Sequence, residues 1–277
     1  MENGGSLTTA RGEEGKRSGK KKEPFPPVPS GLEMGEDSDG RKYPSCQALW
    51  DEEIGGDHAK HKQWYARAEE YWKQQAISVD GVLGGYGNVS PTDLSGSLRF
   101  LDKIGKLPAG RGGPCEWGRA LDCGAGIGRV TEGCLLHRFK HADVVEPRAE
   151  YVEKAKTLLD RQRVERFDCE ALQTFVPEAG RYDCIWVQWV SLYLTDEDFV
   201  SFLQRCKTAL RPQGVVVLKE NVVLDGGFHV DKSDNSIMRA DSHYRELFTR
   251  AGMNLLLDMR QPNFPKQLYP VLMYCLR

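Results

Sequence analysis

The sequence predicts an α/β fold, a largely parallel β-sheet with crossover helices on its faces. Three observations carry this reading. From residue 119 onward, short apolar runs alternate with longer amphipathic stretches. The first run, residues 119–123, passes through Gly124-x-Gly126-x-Gly128 into a helical pattern, which is the strand–turn–helix unit of such folds. The second run, residues 142–146, ends in an acid, Glu146, and ligand-binding side chains of parallel sheets collect at strand C-termini.

Taken in order, residues 1–46 stand apart. They are rich in Gly, Pro, Ser and charge and nearly lack aliphatics, so they are expected to form a disordered tail. Within them Arg17 and Lys20–Lys22 make a small basic cluster, read either as a nuclear-import signal or as a solvated tail. Residues 47–114 are expected to be a helical extension. Trp64, Ala68, Tyr71 and Trp72 recur at helical spacing over residues 58–74. Four glycines at 81, 84, 85 and 87 then argue for a loop that passes close to a ligand or another backbone. A short helix is expected over 94–104, followed by a Pro/Gly linker to Pro114.

Residues 115–277 are expected to be the α/β core. Strands are expected at 119–123, 142–146, 166–168, 184–187 and 215–220, with helices at 130–137, 148–161, 196–210 and 236–251. Two late strands are expected at 253–261 and 269–276.

Composition narrows the function classes. A net charge of −2 gives no basic field for nucleic acid. No apolar run reaches membrane-spanning length, so no membrane partner is expected. The eight cysteines include no Cys-x-x-Cys pair and read as intracellular thiols rather than as a disulfide framework or a metal site. The expected location is cytoplasmic, nuclear or both.

The glycine loop carries the first chemical signal. A dinucleotide fingerprint would place its third glycine at position 129, which is Arg129. The Gly-x-Gly-x-Gly form is instead of the kind found in S-adenosylmethionine (SAM) sites, where no pyrophosphate needs cradling. Glu146 lies about twenty residues beyond the loop, where a carboxylate can hold ribose hydroxyls. Two other strand ends gather polar and aromatic groups, Gln188-Trp189 and Glu220-Asn221. After them comes Asp231-Lys232-Ser233-Asp234-Asn235-Ser236, whose Asp234 and Ser236 would also suit a helix N-cap.

Several stretches together make a resemblance specific. They are Tyr71-Trp72-Lys73, Val79-Asp80-Gly81-Val82, Leu-Gly-Gly-Tyr-Gly at 83–87, residues 121–129, Trp-Val-Gln-Trp at 186–189, Lys219-Glu220-Asn221 and residues 231–236. From about Trp64 to its end the chain resembles the protein N-terminal α-amine methyltransferases, which act on proteins beginning Xaa-Pro-Lys after loss of the initiator Met. The resemblance implies a Rossmann-like, seven-stranded SAM-dependent methyltransferase fold with an N-terminal helical extension. It implies SAM as cofactor, no metal, and protein or peptide N-termini as partners.

The resemblance also implies roles. Gly124, Gly126 and Arg129 would hold the methionine part of SAM, Glu146 the ribose, Pro147 and Leu172 the adenine, and Gln188 the reactive end. Relatives carry Asp where this chain has Glu146. Trp72, Leu83 and Gly84 would line the channel where cofactor and peptide meet. Trp189 would stack on the substrate proline and Asn221 would bond the peptide backbone. Asp231 and Ser236 would take the substrate lysine, and Asp234 would sit by the amine. Relatives carry His where this chain has Tyr193, so Asp234 is expected to carry the proton step, alone or shared with Tyr193.

Elementary chemistry suits that assignment. An α-amine has a pKa of about 7.7–8.0 against about 10.4 for lysine, so roughly a tenth of it is neutral at pH 7 and a weak base suffices. Two alternatives stay open at this level: a SAM methyltransferase acting on a small molecule, and a weakly active relative that binds SAM or a protein N-terminus.

Overall fold

The structure, a computed structural model, describes residues 34–108, 115–224 and 226–277. The basic cluster of the tail and most of the Pro/Gly linker lie outside the described residues.

The described chain opens with two short strands, β1 (Gly35–Asp37) and β2 (Lys42–Tyr43). Helix α1 (Cys46–Glu53) follows, capped by the Ser45 hydroxyl, which accepts from the Ala48 N–H. Helix α2 (His58–Lys73) is capped in the same way by Asp57, and α3 (Ser90–Ile104) carries Pro91 in its first turn. The core then runs β3 (Arg119–Cys123), α4 (Arg129–Gly133), β4 (His141–Val145), α5 (Ala149–Leu158), β5 (Val164–Asp168), β6 (Tyr182–Gln188), α6 (Asp196–Ala209), β7 (Leu210–Val223), β8 (Phe228–Asp231), β9 (Ser236–Ala240), α7 (Asp241–Arg250), β10 (Leu255–Arg260) and β11 (Val271–Leu276).

Seven of these strands lie in the order β5-β4-β3-β6-β7-β11-β10. The first five are parallel, and β11 runs against both of its neighbours. This is the Rossmann-like, seven-stranded arrangement expected from the sequence. Alternation along the strands divides the core. Leu121, Ile185, Val187, Val216 and Leu218 pack on one face with Phe199, Phe202, Leu247 and Phe248 of α6 and α7. Ala120, Cys184, Trp186, Val215 and Val217 pack on the other with Phe100, Leu101 and Ile104 of α3. Burial on both faces is why β6 and the middle of β7 read as continuous apolar runs.

Three expectations need correction. The stretch 236–251 is not one helix. Ser236–Ala240 is β9, paired antiparallel with β8 and parallel with the end of β7. Ile237, Ala240, Tyr244 and Leu247 keep helical spacing throughout, so periodicity alone could not see that sheet edges claim the first five residues. Residues 130–137 are interrupted too. α4 stops at Gly133, and Leu135–His137 forms a separate 3₁₀ turn. Lastly, the expected tail reaches too far along the chain. Gly35–Asp37 pairs with β8, and Tyr43 and Cys46 pack with Trp50, Trp64, Phe228 and Val230 in a small second core.

A buried carboxylate helps tie that second core to the helices beside the sheet. Asp196, the first residue of α6, accepts from Arg239 Nε of β9 at 2.8 Å, lies 2.8 Å from His243 Nε2 of α7 and accepts from the Cys46 thiol at 3.5 Å. Burial opposes its ionisation, but Arg239 and His243 outweigh burial and hold the carboxyl well below its usual value of 3.8. The ionised form is therefore favoured by folding, and its stabilisation is present at neutral pH and lost in acid. Asp196→Asn leaves the Arg239 charge buried and uncompensated, at a cost of about 3–5 kcal/mol. Thermal denaturation at pH 7 should show a melting temperature lower by about 10 °C or more. The deficit should shrink as both proteins are taken towards pH 3.

Candidate active site

The expected site residues come from eight separate places and line two adjoining cavities at the C-terminal ends of the parallel strands. The first cavity, of about 670 Å³, is lined by Gly124, Gly126, Arg129, Glu146, Pro147, Leu172, Gln188 and Trp72, which are all eight residues expected around the cofactor. The second, of about 410 Å³, is lined by Leu83, Gly84, Trp189, Asn221, Asp231, Asp234, Ser236 and Tyr193, which are all those expected around the substrate amine. The two share a wall made of Trp72, Val82, Leu83, Trp189 and Tyr193.

The glycine loop leaves β3 with its backbone bare. Gly124 and Gly126 have φ of +70° and +56°, and a Cβ on Gly124 would come within 2.7 Å of Val190. The Glu146 carboxylate, just past β4, accepts from the Gly126 N–H at 2.9 Å and from the Arg148 N–H at 3.0 Å. Burial dominates its ionisation and pushes its pKa up to about 7. A buried acceptor beside an open glycine backbone, with Leu172 and Pro147 as apolar flanks, fits the ribose, methionine and adenine parts of SAM. Arg129 and Gln188 are more committed than the sequence suggests. Arg129 Nη1 donates to Asp93 Oδ2 at 2.8 Å and to Ser90 Oγ at 3.2 Å. Gln188 Nε2 donates to both Asp93 oxygens at 3.0 Å, and its Oε1 accepts from the Trp186 indole at 2.9 Å.

In the second cavity, Trp189 sits directly after β6 with φ of +51°, a left-handed conformation unusual for a bulky residue. Its indole N–H donates to Asn221 Oδ1 at 3.2 Å, leaving the Asn221 NH₂ as the donor end of that amide. Asp234 Oδ1 accepts from the Ser236 N–H at 2.9 Å, and its Oδ2 accepts from the Tyr193 hydroxyl at 3.1 Å. Burial raises the Asp234 pKa above the usual carboxylate value. Burial, reinforced by the Asp234 charge, drives the Tyr193 phenol well above its ordinary value, so it stays neutral and donates. Asp231, at the end of β8, accepts from the Ser233 N–H at 2.9 Å.

Three residues that bear on the site went unread in the sequence. Asp93 of α3 looks like an ordinary first-turn acid, yet it is fully buried beneath the first cavity. Lys219 is equally buried, donating to the Asp93 carbonyl, Ser97 Oγ and Gln261 Oε1. Arg148 looks like a solvated charge before a helix, yet it reaches α2. A lysine inside an apolar strand run was the one available hint that a buried anion faces it.

Among the described residues, Cys46, Asp196 and His243 bring three donor atoms within 4.8 Å of one another. None of them lines either cavity, and Arg239 already neutralises that carboxylate. No helix among the described residues is long and apolar enough to cross a membrane.

Comparison with known proteins gives a consistent picture. The profile of the AdoMet dependent proline di-methyltransferases matches residues 60–277. The alpha N-terminal protein methyltransferase 1 of Arabidopsis thaliana is 43% identical over 249 residues, covering 87% of this chain and 90% of that protein. The N-terminal Xaa-Pro-Lys N-methyltransferase 1-B of Xenopus laevis is 46% identical over 218 residues, covering 78% and 96%. A solved SAM-dependent methyltransferase from Leishmania major superposes with a TM-score of 0.83 at 36% identity, covering 92% of this chain and all of that one.

The raised pKa of Glu146 has a measurable consequence. Ribose hydroxyls donate to the ionised carboxylate, so bound SAM favours the form that burial disfavours. SAM affinity should be full above pH 7 and weaken as the pH falls through about 7, towards tenfold per unit well below it. Calorimetric titration of SAM between pH 5.5 and 8.5 measures this. Glu146→Gln should bind more weakly at pH 8 and lose the slope.

Proposed function

Because the chain belongs to the family of AdoMet-dependent proline di-methyltransferases, we propose that it transfers methyl groups from SAM to the free α-amine of protein chains that begin Xaa-Pro-Lys. The observation that carries this reading is the acidic, aromatic cavity sharing a wall with the glycine-loop cavity. The names of the relatives from Arabidopsis and Xenopus support it.

Bound in the first cavity, SAM supplies an electrophilic methyl group to an in-line displacement. The chain's own residues then align a neutral amine with it and exclude water. Asp231 takes the substrate lysine as an ion pair, helped by the Ser236 hydroxyl. Trp189 presents its ring to the proline, and the Asn221 NH₂ donates to the first peptide carbonyl. A secondary amide following residue one would add an N–H that the apolar Trp189 ring cannot satisfy, which favours proline there.

Asp234 receives the α-amine. Its carboxylate accepts the proton that the ammonium loses before transfer, and Tyr193, a neutral phenol hydrogen-bonded to it, fixes which oxygen faces the amine. A lysine side chain is a poor competitor, since well under a thousandth of it is neutral at pH 7.

Incubation with labelled SAM and a Ser-Pro-Lys peptide should label the peptide, and an N-acetylated copy should stay unlabelled. Labelling of the acetylated copy, or of neither, would overturn the reading. The two aspartates should separate kinetically. Asp231→Asn should weaken peptide binding by about 2–5 kcal/mol with a smaller change in the saturated rate, whereas Asp234→Asn should lower the saturated rate more than the binding.

Tyr193 is the third variable. Tyr193→Phe removes one neutral hydrogen bond and should lower kcat by about tenfold or less. Tyr193→His should keep activity and add a pH dependence near 6.5. Saturated rates measured against pH for the three proteins test both statements. A dead Tyr193→Phe enzyme that still binds SAM and peptide would make the phenol, not Asp234, the centre of the proton step.

A further inference from the structure

Arg148 lies immediately after the loop that carries Glu146, and its two ends engage different parts of the site. Its backbone N–H donates to Glu146 Oε1 at 3.0 Å, so it shares the carboxylate expected to hold the ribose. Its guanidinium crosses to the last turn of α2. There Nη1 donates to the Trp72 carbonyl and, at 3.0 Å, to the Gln75 carbonyl. The side chain is 13% exposed, and its Cζ sits 4.3 Å from the centroid of the Tyr151 ring. A guanidinium at a helix C-terminus adds a charged donor to the last carbonyls, of which that of Trp72 also accepts from the Gln75 N–H at 3.1 Å, and complements their partial negative charge.

One of the two carbonyls it holds, that of Trp72, belongs to a residue of the wall between the cavities. Trp72 lines both, and its ring lies edge-on to Tyr193 with centroids 6.1 Å apart. Tyr193 in turn donates to Asp234. Gln75 opens the segment leading to Val82 and Leu83, which complete the same wall. One residue therefore joins the ribose carboxylate to the partition against which the peptide end rests.

We infer that Arg148 is a positioning residue that couples cofactor occupancy to the shape of the peptide cavity. The inference rests on the N-terminal methyltransferase reading above. A ligand on Glu146 orders the backbone at Arg148, and the guanidinium passes that order to the end of α2. The cost of fixing the wall is then met once, by whichever ligand binds first, and the second binds more tightly. Such coupling is reciprocal and typically amounts to 5–150-fold in affinity.

Calorimetry with S-adenosylhomocysteine, the unreactive product of SAM, and a Ser-Pro-Lys peptide tests it on the full chain. For the unaltered protein, saturating S-adenosylhomocysteine should tighten peptide binding at least fivefold, and saturating peptide should tighten S-adenosylhomocysteine by the same factor. In Arg148→Ala both factors should fall towards one. Arg148→Lys, which keeps the charge but loses the planar guanidinium over the Tyr151 ring and has a different reach, should give an intermediate factor. A merely structural role would lower the melting temperature or both affinities and leave the factor unchanged. An unchanged factor in either variant, or no coupling in the unaltered protein, overturns the inference. Failure of the unaltered protein to bind the peptide at all, with or without S-adenosylhomocysteine, would instead overturn the functional reading on which it rests.

Discussion

The site hangs on Asp93, a carboxylate with no solvent exposure that side chains from three elements reach at once. Arg129 comes from the first turn after the glycine loop, Gln188 from the end of β6 and Lys219 from the middle of β7. Burial alone would push the Asp93 carboxyl up, but Lys219 and Arg129 outweigh it and hold the group ionised. A buried charge of this kind is tolerated only with its partners in place, and losing one typically costs several kcal/mol. The glycine loop, the strand bearing Trp189 and the strand bearing Asn221 thus share one electrostatic anchor in α3. Burying that anchor adds an electrostatic constraint to the backbone pairing that already sets Gln188 opposite Lys219.

A second constraint acts on the backbone. Trp189 adopts the left-handed conformation, which costs of order 1–3 kcal/mol for a residue with a Cβ. Its surroundings hold it there. The Trp189 N–H donates to the Lys219 carbonyl, its indole to Asn221, and the Arg129 guanidinium lies 5.8 Å from its ring centroid. The reversed φ turns the indole out of the alternation of β6 and across the junction of the cavities. Regular strand geometry would have sent that side chain towards one face of the sheet.

How far the sequence could be read follows from which forces were local. β3 appears at the residues expected, because an apolar run closed by glycines is specified within a few positions. Gly124, Gly126, Glu146, Gln188, Trp189 and Asn221 were legible from strand ends and the glycine turn, whereas Trp72, Leu83, Leu172 and Tyr193 came into view only through the family resemblance. β9 was not legible, because five residues with helical spacing become a strand only when β8 and the end of β7 offer their edges. Nor was β1, a three-residue piece of a polar stretch that is ordered by pairing with β8 and by the Tyr43 hydroxyl donating to Asp37. Asp93 and Arg148 escaped for a related reason. Each looks like a solvated charge in its own neighbourhood and acquires its role only across the fold.

The two cavities share an inner wall but meet solvent through different residues. The solvent-exposed residues lining the first cavity include Glu69, Lys73, Glu150, Cys169 and Glu170, while those lining the second include Tyr86, Gln267 and Tyr269. The two mouths have no exposed residue in common. The solvent-facing rim of the first cavity is built largely of charged side chains, and that of the second of tyrosines, a glutamine and a glycine. A substitution at Glu170 or Tyr269 therefore alters the rim of one cavity and leaves the rim of the other as it was.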